Sequence, residues 1–179
     1  SEYMVSTFVN NTFVNNRLTA KSSSLSDKTN GGSAIYFKSG SGSLNLVNNT
    51  IVGNTDSCYT TSGVPSVNFN GSAVHVISGK VRLVNNIIAG NFSSAAAAGE
   101  VYLGESASLQ NSTYNLYGGA DRMNITAKST DMVCRNYDRC VQDLQKVLDS
   151  EIVDGKLSLL LSDNGGFAPT VKVKSVTCG

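Results

Sequence analysis

Charge is scarce in this chain. Asp, Glu, Lys and Arg make up 15 % of its 179 residues, and the net charge is +1. That balance leaves no electrostatic footprint for nucleic acid or an anionic membrane surface. Tryptophan is absent, proline occurs twice, and the only histidine is His75. No Ser or Cys stands at an elbow-like turn beside that one imidazole, so a nucleophile–base pair is excluded. No apolar run approaches the ~20 residues of a membrane span. The start, Ser1-Glu2-Tyr3-Met4, has neither a basic region nor an apolar signal segment. Zinc spacing, a phosphate loop and the calcium nonapeptide are all missing, so neither cofactor nor metal is expected.

What the chain does have is Gly, Ser, Asn and Thr, with 40 % apolar residues in a regular pattern. Gly and Asn tolerate the positive φ of tight turns, so this mix suits many short strands. One stretch organises the rest: Val47-Asn48-Asn49-Thr50-Ile51-Val52-Gly53-Asn54 recurs as Val84-Asn85-Asn86-Ile87-Ile88-Ala89-Gly90-Asn91. Copies stand upstream at Val9–Asn16 and, degraded, at Gln110–Tyr117. Aligned, they give a bulky column of Phe13, Ile51, Ile88 and Tyr114. The turn column holds Asn11, Asn49, Asn86 and Ser112.

The units differ in loop length. Residues 17–31 and 55–70 read as excursion loops, the second containing Cys58, and 92–98 as a shorter one. Gly32–Phe37 and Gly71–Val76 match position by position as strands. A glycine-serine turn at Ser39–Ser43 then leads to the inward pair Leu44 and Leu46. Repeats that keep phase across variable insertions belong to a solenoid, whose strands stack while its loops vary outside. The spacing predicts an all-β parallel β-helix: a single-stranded solenoid of about four coils. Its coils span residues 1–120. Asn11, Asn49 and Asn86 should form a structural ladder up the turn column. Residues 121–179 should cap the last coil, with one short helix over Tyr137–Ser150 and strands at Lys156–Leu161 and Thr170–Val176. The first coil lacks a comparable cap, so edge-to-edge pairing or contact with more of a parent chain is expected there.

Gly31-Gly32-Ser33-Ala34-Ile35 with Phe8-Val9-Asn10-Asn11 resembles the GGAI and FxxN repeats of chlamydial polymorphic outer-membrane proteins. The Asn-Asn-Thr-Ile-Val-Gly-Asn units resemble choice-of-anchor surface proteins of the pectate-lyase-like superfamily. Asp163-Asn164-Gly165-Gly166-Phe167-Ala168-Pro169-Thr170 is similar to the late DNGG-x-x-PT segment of those proteins. The resemblance covers residues 3–117 and 157–173. It implies a right-handed β-helix in a secreted or cell-surface bacterial protein, at the outer membrane in the chlamydial case, and it carries no catalytic residues.

The four cysteines, Cys58, Cys134, Cys140 and Cys178, are read as disulfide candidates of an oxidising compartment. Cys134 with Cys140 would close a small loop and leave Cys58 with Cys178, but three connectivities are open.

Two functions follow. The preferred one is a non-catalytic, adhesin-like module binding a glycan or a host surface protein. The alternative is the C-terminal fragment of a polysaccharide lyase or glycoside hydrolase whose catalytic coils lie upstream. A hydrolase needs two carboxylates flanking one bond within about 5–10 Å. The repeat strands offer only Glu100 and Glu105 in one coil, which weighs against catalysis. Alignment puts Tyr36, His75 and Tyr102 in one outward column, stacked at ~4.8 Å beside Lys38 and Arg82. These five are the candidate ligand-binding residues, with loops 17–31 and 55–70 the competing surface.

Overall fold

A computed structural model describes residues 4–22, 31–63, 72–94, 99–134, 136–163 and 169–174. The chain runs through three faces in turn and returns to the first. The first circuit is β1 (Val5–Val9), β2 (Thr12–Val14) and β3 (Arg17–Ser22). The second is β4 (Ile35–Val47), β5 (Thr50–Val52) and β6 (Thr55–Thr60). The third is β7 (Val74–Val84), β8 (Ile87–Ala89) and β9 (Phe92–Ser93), and the fourth β10 (Val101–Thr113) and β11 (Leu116–Tyr117). Each strand pairs, parallel, with its counterparts in neighbouring circuits. The sheets run β1-β4-β7-β10, then β2-β5-β8-β11 with β12 (Met132–Val133) at the end, then β3-β6-β9. The protein is all-β with parallel sheets and, among the described residues, one short α-helix.

Two corners turn each of the first three circuits, each with one residue at positive φ, and the fourth circuit repeats this at its first corner. At the first corner these are Asn10, Asn48, Asn85 and Tyr114; at the second, Asn15, Gly53 and Gly90. Asparagine and glycine tolerate this region best, which explains their abundance. Between corners the alternating side chains point into the stack. Leu44, Leu46, Ile51, Val74, Val76, Val81, Leu83 and Ile88 are fully buried there. Each such side chain contributes roughly 1.5–3 kcal/mol by leaving water.

The structure corrects the expected layout in four places. The turn at Ser39–Ser43 is a register irregularity inside one long strand, β4, where the Gly42 N–H donates to Ser39 Oγ at 2.9 Å. The starts of the two long loops are strands β3 and β6 of the third sheet. Their periodicity was hidden because that sheet turns polar side chains inward: the paired Asp56 and Ser93 are buried on one face, and Ser57 on the other is buried as well. In the fourth circuit Tyr117, rather than Tyr114, pairs with Ile88, and Asn115, rather than Ser112, occupies the turn column.

The C-terminal region is the fourth correction. Helix α1 (Tyr137–Val147) starts where Asn136 Oδ1 accepts the Arg139 N–H at 2.9 Å. Its apolar face of Tyr137, Cys140, Val141 and Leu144 packs on Val52 of β5 and Ala89 of β8, with Leu157 and Leu159 of β14 (Lys156–Leu159). β13 (Ser150–Val153) pairs antiparallel with β14, and β15 (Leu161–Ser162) with β16 (Thr170–Val171). The Asn15 amide exchanges two hydrogen bonds with the Leu159 backbone, tying this layer to the first circuit. The helix therefore covers the flank of the stack. The end is closed instead by Met123, Ile125 and Ala127, alternating residues that pack on the core below β10.

Candidate functional site

Register places Tyr36, His75 and Tyr102 side by side, as expected. Ring centroids are 5.8 Å apart for Tyr36–His75 and 5.0 Å for His75–Tyr102. Only the ends of this column resemble a surface. Tyr36 is 47 % exposed, but His75 is wholly buried. The backbone at Gly31 crosses so close to its imidazole that a side chain there would collide with Nδ1. Neither ring nitrogen of His75 has a hydrogen-bond partner among the described residues. Burial lowers its pKa to about 4, so the imidazole is neutral and is no pH handle for an outside ligand. Alternation alone puts residue 75 outward; it cannot reveal that a preceding segment folds back over it. Lys38 sits opposite Ser78, at the irregular register, and Arg82 sits opposite Asn45 and Asn111, seven residues along β7 from His75. Arg82 is thereby set apart from the rings along the strand, whereas Lys38 stands two residues from Tyr36 on the same exposed side of β4.

The asparagine ladder is present and longer than expected. The Asn11 N–H donates to Asn49 Oδ1 at 2.9 Å, Asn49 to Asn86 Oδ1 at 2.9 Å, and Asn86 to Asn115 Oδ1 at 2.9 Å. Each Nδ2 donates to the same oxygen, at 3.0–3.3 Å. The column ends on Asp131, whose Oδ1 accepts the Asn115 N–H at 2.8 Å and Nδ2 at 3.0 Å. Asp131 Oδ2 accepts from Ser112 Oγ at 2.7 Å and the Lys128 N–H at 2.8 Å. Tyr117, inside the core, reaches the same network through Ser112 at 2.9 Å.

A second ladder runs at the other corner, through Asn16, Asn54 and Asn91. It also ends on an acid. The Asn91 N–H donates to Glu100 Oε1 at 3.3 Å, and its Nδ2 to Oε2 at 2.6 Å. The signal was readable in the aligned Asn16, Gly53-Asn54 and Gly90-Asn91, since both corners share the motif. The role of Glu100 was not, because its neighbour in space is nine residues away in a third-sheet corner.

The two acids sit in opposite surroundings. Glu100 is fully buried, and burial pushes its pKa up to about 8 against the donors of Asn91 and Gly90 and the charge of Arg122. Burial also opposes ionisation of Asp131, but there the donors from Asn115, Lys128 and Ser112 win, holding it below the usual carboxylate range. Asp56 is a third buried acid, raised by burial to about 7 although the Ser93 hydroxyl and Ser72 backbone offset part of the cost.

Cys134 and Cys140 come together as anticipated, but as thiols. Burial, followed by the hydrogen bond with Cys134, raises the Cys140 thiol. Helix α1 brings the pair into contact by packing. Cys178 and the Cys58 side chain lie outside the described residues, as do positions 164–168 of the late motif.

The outer face of the second sheet carries the concave surface that sequence reasoning missed. A cleft of about 350 Å³ lies between that sheet and the C-terminal layer, lined mainly by Val52, Ile87, Leu116, Leu144, Val147 and Val171. Beside it, a groove of about 430 Å³ runs along the first corner column, past Asn48, Asn85, Tyr114 and Met132. No group of three His, Cys, Asp or Glu side chains able to hold a metal occurs among the described residues. No helix among them is long and apolar enough to cross a membrane.

Comparison with protein-family models, curated proteins and solved structures finds no match to this chain.

Proposed function

We propose that this chain is a right-handed, single-stranded parallel β-helix serving as a non-catalytic binding module of a secreted or outer-membrane bacterial surface protein. Three parallel sheets visited in rotation support the architecture. Parallel crossovers are right-handed in about 98 % of cases, which supports the handedness. The observation that carries the functional reading is the use made of the coil acids. Glu100 and Asp131 finish asparagine ladders, with their oxygens accepting from amide and hydroxyl donors. A glycosidase would instead hold two carboxylates open toward one bond. Adhesin-like recognition of a glycan or a host surface protein by the flank grooves fits this division better. Immobilised glycans and host-surface proteins, screened beside polysaccharide-degradation assays, test it. The expected result is binding with no sugar product released. Turnover abolished by Glu100→Gln or Asp131→Asn would contradict it.

A further inference from the structure

The first corner column holds Asn10, Asn48 and Asn85 at φ of 58, 56 and 54°, and then Tyr114 at 58°. Asparagine adopts this left-handed region readily; a bulky residue there is an outlier. Burial does not offset the strain, because Tyr114 is 66 % exposed. Strain kept without a packing gain is found where a side chain is needed for function. The ring opens onto the groove of about 430 Å³.

Further along that groove Asn85 Nδ2 donates to Asn48 Oδ1 at 2.8 Å. This leaves Asn48 Nδ2 and Asn85 Oδ1, one donor and one acceptor, without a protein partner among the described residues. Ile87, Leu116 and Met132 supply apolar floor, and no charged side chain among the described residues lines the groove.

We propose that this groove binds a neutral oligosaccharide containing N-acetylated hexosamine, with Tyr114 as the stacking platform. The inference rests on the binding-module reading and deepens it. The C–H face of a pyranose matches an exposed aromatic ring, whose large area is immobilised at little entropic cost. An acetamido group needs both an amide partner and an apolar contact for its methyl, and the groove offers each. Successive corners rise by about 4.8 Å, so adjacent sugars of an extended chain meet successive rungs. An apolar peptide would bury the free amide groups of Asn48 and Asn85 unpaired, which disfavours it.

The test is NMR titration with chitohexaose, with cellohexaose and a heparin hexasaccharide as comparisons. Chitohexaose should move the Tyr114 ring resonances and bind more tightly than either. Tyr114→Asn, which restores the corner's usual residue, should leave the melting temperature unchanged or higher and weaken binding at least about tenfold. Tyr114→Phe and Tyr36→Ser should keep most of the affinity. Unmoved Tyr114 resonances, or full binding by Tyr114→Asn, would overturn the site. A protein partner bound without any saccharide would overturn the ligand class while the module reading stands. No binding by any glycan or protein would sink both.

Discussion

The two asparagine columns are built from the same parts and end in opposite electrostatic conditions. One finishes at a partly solvated carboxylate that accepts four donors; the other finishes at a carboxyl sealed inside the stack. Both ends solve one problem. Every rung donates toward the next circuit, so the last rung needs an acceptor that has nothing to pass on. An acid is the natural closing group, and solvation decides whether it carries charge. Donors hold Asp131 ionised, whereas burial keeps Glu100 protonated near neutrality. Similar sequence chemistry thus yields one charged and one neutral end.

The largest expected effect is loss of an inner rung. Asn86→Ala or Asn91→Ala removes a buried amide and strands partners on both sides, costing on the order of 3 kcal/mol. Asn11→Ala, at the exposed end of its column, should cost less than about 1 kcal/mol. Urea unfolding measures both, and equal losses would show that burial is not what gives the ladders their strength.

Exchanging the closing acids for amides comes next. Asp131→Asn turns an ion with four donors into a group that must face some of them with its own N–H. A loss of about 2 kcal/mol is expected at pH 6. Glu100→Gln, replacing a group already neutral, should cost less than about 1 kcal/mol. Reversed magnitudes would mean that the protonation states are assigned the wrong way round.

The acids should also bend the pH profile in opposite directions. Asp131 has a depressed pKa, so its contribution is present above the unfolded value near 4 and is lost as pH falls through its folded pKa. Glu100 has a raised pKa, so its contribution is full below about 4.5 and is lost as pH rises through about 8. His75 titrates well below 7 and Asp56 near 7, so the clearest window for Glu100 is pH 7–8. There the wild type should lose stability more steeply than Glu100→Gln, which keeps only the tail of the Asp56 titration.

The smallest effect concerns the buried ring. His75 has a lowered pKa, so the native state loses stability as pH falls from about 6.5 toward 4. His75→Phe keeps a ring between Tyr36 and Tyr102 and removes two nitrogens that have no partner among the described residues. It should change stability by less than about 1 kcal/mol at pH 7 and remove part of the acid loss.

These comparisons also show what sequence could and could not convey. The first ladder, the inward columns Leu44/Leu46 and Val74/Val76, and the register of Tyr36 with His75 were legible because repetition and alternation encode them directly. The third sheet was not, since Asp56 and Ser93 turn polar groups inward and erase its rhythm. The slip from Tyr114 to Tyr117 arose where the fourth circuit puts tyrosine at the corner position held elsewhere by asparagine. The closing roles of Glu100 and Asp131 were not legible, because their partners arrive from neighbouring circuits. The groove past Tyr114 was hidden for the same reason: its walls come from three different repeats.

The most direct test of the central claim is a carboxyl ¹³C NMR titration of Glu100 and Asp131 in the folded protein. If both acids close ladders, Glu100 should titrate near 8 and Asp131 below the ordinary aspartate value of about 3.9. Two carboxyls titrating together near 4, as open and solvated groups do, would contradict the account and return both acids to the list of groups free to act on a substrate.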